Sequence, residues 1–110
     1  MNLDGRVMYV SSTDERGVVD SDTRLRFTQK GSRIFGRYDG GAVERGRLVG
    51  RLTGSRLEFR YVQIEAGGEV HGGNSACEVL PQPEGLARIV EHFTWRTRPG
   101  SGVNVFDEVV

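Results

Sequence analysis

Apolar and polar residues alternate along most of this chain with a period of two. Residues 24–29 set Leu25 and Phe27 against Arg24, Arg26 and Thr28. That is the pattern of a strand with one face on a core and the other in water. Residues 33–38 continue it, with Ile34, Gly36 and Tyr38 on one side and Arg33, Phe35 and Arg37 on the other. Residues 57–64 set Leu57, Phe59 and Tyr61 against Glu58, Arg60 and Val62. The longest run, 86–97, aligns Ala87, Ile89, Glu91, Phe93 and Trp95 opposite Leu86, Arg88, Val90, His92, Thr94 and Arg96. A helix fits 86–92 as well, but the Phe-Thr-Trp-Arg-Thr that follows is strand chemistry. Weaker strands are read at 3–11, where Val7 and Tyr9 oppose Met8 and Val10, and at 42–50, 70–80 and 103–110.

Between these runs the chain turns on glycine. Lys30-Gly-Ser32, Asp39-Gly-Gly41, Thr53-Gly-Ser55 and Ala66-Gly-Gly-Glu69 supply the positive φ angles that tight hairpins need. Pro81-Gln-Pro-Glu-Gly85 and Arg98-Pro-Gly-Ser-Gly102 break the chain twice more, and the polar 12–23 stretch reads as turn and loop. Gly46 and Gly50 interrupt their strand, which marks a bulge, a bend or a coil in the sheet. About eight strands in sequence, each followed by a short turn and with no helical crossover, predict an all-β, single-domain chain over 1–110. The expected architecture is an antiparallel up-and-down β-barrel of the streptavidin or lipocalin (calycin-like) kind, since closure removes exposed edges. An open sandwich, or a half-barrel that closes by dimerisation, is the alternative.

Composition sharpens this modestly. One hundred and ten residues support one core, and 16 glycines against 3 prolines suit short strands and many turns. No apolar run approaches the roughly 20 residues of a membrane-spanning helix. The N-terminus carries no signal-peptide pattern, and Cys77 is the single cysteine, so a cytoplasmic protein is expected. The net charge is zero but unevenly spread: 24–60 holds ten Arg and Lys against three acids, and both flanks are acidic. Two readings stand, a solvated strand face or a basic surface for an anionic partner or for self-association. Overall neutrality argues against nucleic acid.

Glu91 shares the most apolar face of its strand. It needs a partner there such as Arg, Tyr or a ligand, unless a bulge turns it outward. Glu78 and Glu108 occupy comparable positions on neighbouring strands, so three carboxylates either line one end of a barrel or pair with arginines of the basic middle. Tyr38, Phe59, Tyr61, Phe93 and Trp95 either wall a ligand cavity or fill the interior. Two histidines and one cysteine without ligand spacing predict no metal and no cofactor. The Gly31–Gly36 stretch leads into a strand, so it offers no phosphate loop.

The run 37–50 (Arg-Tyr-Asp-Gly-Gly-Ala-Val-Glu-Arg-Gly-Arg-Leu-Val-Gly), Leu57 with Tyr61, Glu91-His-Phe-Thr-Trp95 and the opening Leu-Asp-Gly-Arg-Val at 3–7 resemble a family of small bacterial proteins of similar length. Its members are often labelled N-acetylglutamate synthase, and the family has no established activity. The chain departs from the family at Glu91-His-Phe, where a second carboxylate tends to follow the first, and that weakens any two-carboxylate mechanism. The label itself implies an α/β acetyltransferase domain with a pyrophosphate loop opening a helix. Gln29-Lys-Gly-Ser-Arg-Ile34 lacks the required glycines, so the label is not expected to describe this molecule.

No constellation identifies a reaction. The expectation is a barrel that binds a small molecule in its interior or at its mouth without catalysis, as a homodimer, with Tyr38, Arg60, Tyr61, Glu78, Glu91 and Trp95 as the lining. The alternative is a structural or interaction module using the arginine-rich face of 24–60, as a homodimer or with an anionic partner. An enzyme acting through inward glutamates ranks last.

Overall fold

A computed structural model describes residues 1–110. The strands are β1 (Val7–Ser12), β2 (Arg24–Lys30), β3 (Arg33–Gly40), β4 (Val43–Thr53), β5 (Arg56–Glu65), β6 (Val70–Pro81), β7 (Ala87–Trp95) and β8 (Ser101–Glu108). Each pairs antiparallel with the next, and β8 returns to β1 through Met8↔Glu108, Tyr9↔Asp107 and Val10↔Phe106, closing the barrel. The only helical segment is a 3-10 turn at Pro83–Gly85, where Glu84 takes a positive φ. Residues 87–95 are therefore strand, as their alternation predicts. No helix is long and apolar enough to cross a membrane.

The period-two pattern survives closure almost intact. Inward side chains include Leu25 and Phe27 on β2, Ile34 and Tyr38 on β3, Leu57, Phe59 and Tyr61 on β5, and Ile89, Glu91, Phe93 and Trp95 on β7. Twenty buried residues form one continuous core cluster. On β1 the inward pair is Met8 and Val10, with Val7 and Tyr9 less buried.

The two glycines within β4 both mark close approach, and Gly46 also borders a break in register. Strand β4 shifts register between Val43 and Arg45 against β5, and between Val43 and Gly46 against β3, while Gly50 lies in a regular stretch. A Cβ on Gly46 would lie 2.3 Å from Tyr38 Cζ, so the Tyr38 ring lies directly over that glycine. A Cβ on Gly50 would lie 2.0 Å from the Glu58 carbonyl oxygen, so here the constraint is backbone against backbone.

The two ends of the barrel are closed differently. At one end Leu3, fully buried, is held by its backbone N–H donating to Gln29 Oε1 at 2.8 Å. Nearby, Arg6 donates to Glu108 Oε1 at 2.6 Å and to the Gly85 carbonyl at 2.9 Å. At the other end the 13–23 loop between β1 and β2 lies across the opening, with Val18 and Val19 packed on the core.

Candidate functional site

The half of the interior beneath the 13–23 loop is chemically unlike the other half. Around Leu3, Ile34, Leu57, Val79 and Ile89 the core is apolar. Toward the loop, buried Gln63, Ser75, Glu91 and Asn104 stand among Tyr38, Tyr61, Phe93 and Trp95. A small chamber of about 40 Å³ remains between them, lined by most of these side chains together with Leu48, Phe59 and Phe106, and roofed by Gly17, Val18 and Val19.

Glu91 points inward because the β7 alternation is uninterrupted from Ala87 to Trp95. Its register partners are Cys77 on β6 and Asn104 on β8. Ser75 Oγ donates to Glu91 Oε2 at 2.6 Å and Asn104 Nδ2 donates to Oε1 at 2.9 Å. No cation pairs with it. Burial pushes its pKa above the ordinary carboxylate value, and the two hydrogen bonds only partly oppose this. Burial, with the nearby Glu91 charge as the next cause, also raises Tyr38, Tyr61 and Cys77. Cys77 is thus a packed thiol rather than an activated nucleophile.

The tyrosines differ in how they are satisfied. Tyr38 donates its hydroxyl to Gln63 Oε1 at 2.8 Å, and Gln63 Nε2 donates to Glu65 Oε2 at 2.9 Å. The Tyr61 hydroxyl is the one buried side-chain polar atom without a hydrogen-bond partner. Its ring packs edge-on against Trp95, with centroids 5.4 Å apart. Trp95 in turn meets Phe93 at 6.1 Å and is covered by the Arg98 guanidinium at 4.7 Å. Arg98 is also held by Glu65 at 2.7 Å.

Two side chains of the wall fasten the loop. Trp95 Nε1 donates to the Arg16 carbonyl at 2.9 Å, and Thr13 Oγ1 donates to Asn104 Oδ1 at 2.7 Å. The loop is braced internally where Arg16 Nε donates to Asp14 Oδ1 at 2.8 Å. That contact, above all the side-chain hydrogen bond, holds the Asp14 pKa down at about 2.

Of the six expected lining residues, Tyr38, Tyr61, Glu91 and Trp95 meet in this chamber. Arg60 and Glu78 do not: both are exposed on the outer wall. Arg60 lies between inward Phe59 and Tyr61, and Glu78 between inward Cys77 and Val79, so strand alternation itself sends them to water. The three glutamates likewise do not converge. Glu108 sits at the Leu3 end with Arg6, an arginine from outside the basic middle, and also accepts the Ala87 N–H at 2.9 Å. The aromatic residues fill most of the interior and leave only the small chamber. The sequence pattern does not single out Gln63, Ser75 and Asn104. Their signal is present, because each occupies the inward phase of its strand, but polar residues there do not stand out by hydropathy.

One cluster elsewhere has metal-ligand chemistry. Potential ligand atoms of Glu65, Glu69 and His71 lie within 4.8 Å of one another. The Glu65 oxygens already accept from Arg98 and Gln63, and His71 Nδ1 sits 2.7 Å from Thr97 Oγ1, so these groups are already committed to protein partners.

Compared with known proteins, residues 1–109 match the family model described as avidin-like protein, and the chain belongs to that family. No curated protein and no solved structure matches it.

Proposed function

Taking the avidin-like barrel as premise, we propose that this protein binds a small neutral molecule beneath the 13–23 loop, without catalysis, in the cytoplasm. The observation that carries this reading is the Tyr61 hydroxyl, buried without a partner in a chamber that also presents Glu91, Gln63 and Asn104. A buried donor lacking an acceptor costs free energy that an entering carbonyl or hydroxyl recovers. The walls are otherwise aromatic and aliphatic, the usual makeup of a small-molecule site with a few orienting polar groups. A neutral head group suits it best. An anion would be buried beside Glu91, while Arg98 is engaged with Glu65 at the rim.

The chamber of about 40 Å³ holds roughly one water-sized group, far below the ~300 Å³ and more of ordinary ligand pockets. Loading therefore requires the 13–23 loop to swing outward, carrying Val18 and Val19 with it and breaking the Trp95–Arg16 and Thr13–Asn104 hydrogen bonds. The family includes binders of small ligands such as biotin, which makes biotin the first probe. Acetyl transfer forms no part of the reading, because no α-helix is present to open with a pyrophosphate loop.

Trp95 is the only tryptophan and lines the chamber, so its emission reports occupancy directly. The test is a fluorescence titration with biotin and a panel of small neutral amides, ureas and alcohols. A saturable change is expected, weakened by about tenfold in Tyr61→Phe, the size of one lost hydrogen bond of ~1.4 kcal/mol. No saturable response to any of them, or identical binding by Y61F, overturns the proposal. The same reading includes a homodimer, supported by Ile64 and Val70, which face each other across β5 and β6 and are 37% and 59% exposed. A monomer mass in sedimentation at all concentrations removes that part.

A further inference from the structure

The outer wall of β2 to β4 carries an arrangement that folding alone does not explain. Arg26 on β2 stands directly opposite Arg37 on β3, and Arg37 directly opposite Arg47 on β4. All three side chains are exposed and point to the same face. Like charges directly opposed across strands destabilise a sheet, and here two such pairs share a residue. No carboxylate intervenes: of the nine arginines between residues 24 and 60, only Arg56 is in an ion pair, with Glu58. The row ends in apolar residues on both sides, since Val7 is opposite Arg26 and Val62 opposite Arg47.

These three guanidiniums border a shallow groove of about 350 Å³ on the outer surface. Thr28 and the half-exposed Phe35, which face each other in the next cross-strand row, complete its wall, with Gly5 at its edge. The groove thus combines three unneutralised fork-shaped donors, a hydroxyl and an aromatic face. Guanidinium forks match phosphate oxygens and bind them bidentately.

We propose that the Arg26–Arg37–Arg47 ladder is a binding site for a small phosphorylated ligand. Its phosphate groups lie across the three guanidiniums, and its organic part rests on Phe35. The ladder's extent sets the ligand's size. Two interstrand spacings of ~4.8 Å place Arg26 about 10 Å from Arg47, a span suited to a diphosphate-sized group. A longer nucleic-acid backbone fits less well, because the charge beyond residues 24–60 is net acidic. The site lies outside the barrel wall and is independent of the chamber beneath the loop.

The experiment titrates the intact protein with pyrophosphate at physiological ionic strength, followed by calorimetry and by the thermal midpoint. Wild type is expected to bind saturably and to be stabilised on binding. Arg37→Gln, at the centre of the ladder, is expected to lose at least about tenfold in affinity. Without ligand it should melt at or above the wild-type temperature, because a like-charge contact has been relieved. That second readout separates a lost site from a damaged fold. Arg60→Gln, on the same outer face but outside the ladder, should bind within about twofold of wild type. The proposal is overturned by absence of saturable binding to wild type, or by equal losses in R37Q and R60Q, which would indicate a diffuse basic surface. A single-stranded oligonucleotide that binds more tightly with increasing length would also overturn it in favour of a nucleic-acid track.

Discussion

Asn104 donates its side-chain amide to Oε1 of Glu91 at 2.9 Å, and both residues are buried. The Asn104 carbonyl oxygen accepts from Thr13 of the loop at 2.7 Å. A single amide therefore joins the buried carboxyl group on the barrel wall to the segment that covers it. Breaking the Thr13 contact would leave the Asn104 carbonyl oxygen without its loop partner while its amide still holds Glu91.

Burial raises the Glu91 pKa above its ordinary value of 4.5 in the folded barrel. The folded state then holds this proton more tightly than the unfolded chain does. The stabilising contribution of the protonated form is present below the ordinary value and is lost as pH rises through the raised one. Glu91→Gln keeps a donor and an acceptor for Ser75 and Asn104 but carries no charge. The thermal midpoint of E91Q relative to wild type is expected to widen in favour of E91Q from about pH 4 toward about pH 7. A constant difference across that range would show that Glu91 does not titrate as described.

Removing the indole donor isolates the loop's attachment. In Trp95→Phe the hydrogen bond to the Arg16 carbonyl is lost, at a cost of about 1 kcal/mol plus some lost packing. Hydrogen exchange should accelerate at the Gly17 and Thr23 amides, which bond to Asp14 and Asp20 within the loop. Amides of the β4–β5 ladder should keep their protection. Uniform loss throughout the barrel would instead mean that Trp95 supports the whole fold.

The glycines sort by what a methyl group would strike. Gly50→Ala meets a backbone carbonyl that cannot rotate away and should cost about 3 kcal/mol or prevent folding. Gly54→Ala meets nothing within 4 Å and only bears the strain of its φ of +60°, about 1 kcal/mol. Chemical denaturation of the two variants checks that order, and equal costs would contradict the close approach at Gly50.

The strand alternation read from sequence carried most of the fold. Tight turns fix the register of each hairpin, and an uninterrupted period of two then fixes which side chains face inward. That is why Glu91 and Trp95 were legible as neighbours on one face. The loop's role was not, because Val18 and Val19 sit in a polar stretch without periodicity and gain their burial only from the closed barrel. Asn104 was hidden for a different reason. Val103, Val105 and Phe106 are all apolar, so hydropathy alone does not assign the inward phase of β8. Pairing with β7 sets Asn104 opposite Glu91 and Phe106 opposite Ile89, and that register places both inside. Arg60 and Glu78 show the converse. Their charge suggested chemistry, but their phase on the strand had already directed them to solvent.

Whether the chamber beneath the 13–23 loop receives a small molecule is read out by native mass spectrometry of protein purified gently from its own cells. A discrete mass above that of the polypeptide is expected, released on denaturation and diminished in Tyr61→Phe. A bare polypeptide mass, together with a Trp95 emission that no small neutral compound alters, would contradict it and leave the interior as packed core alone.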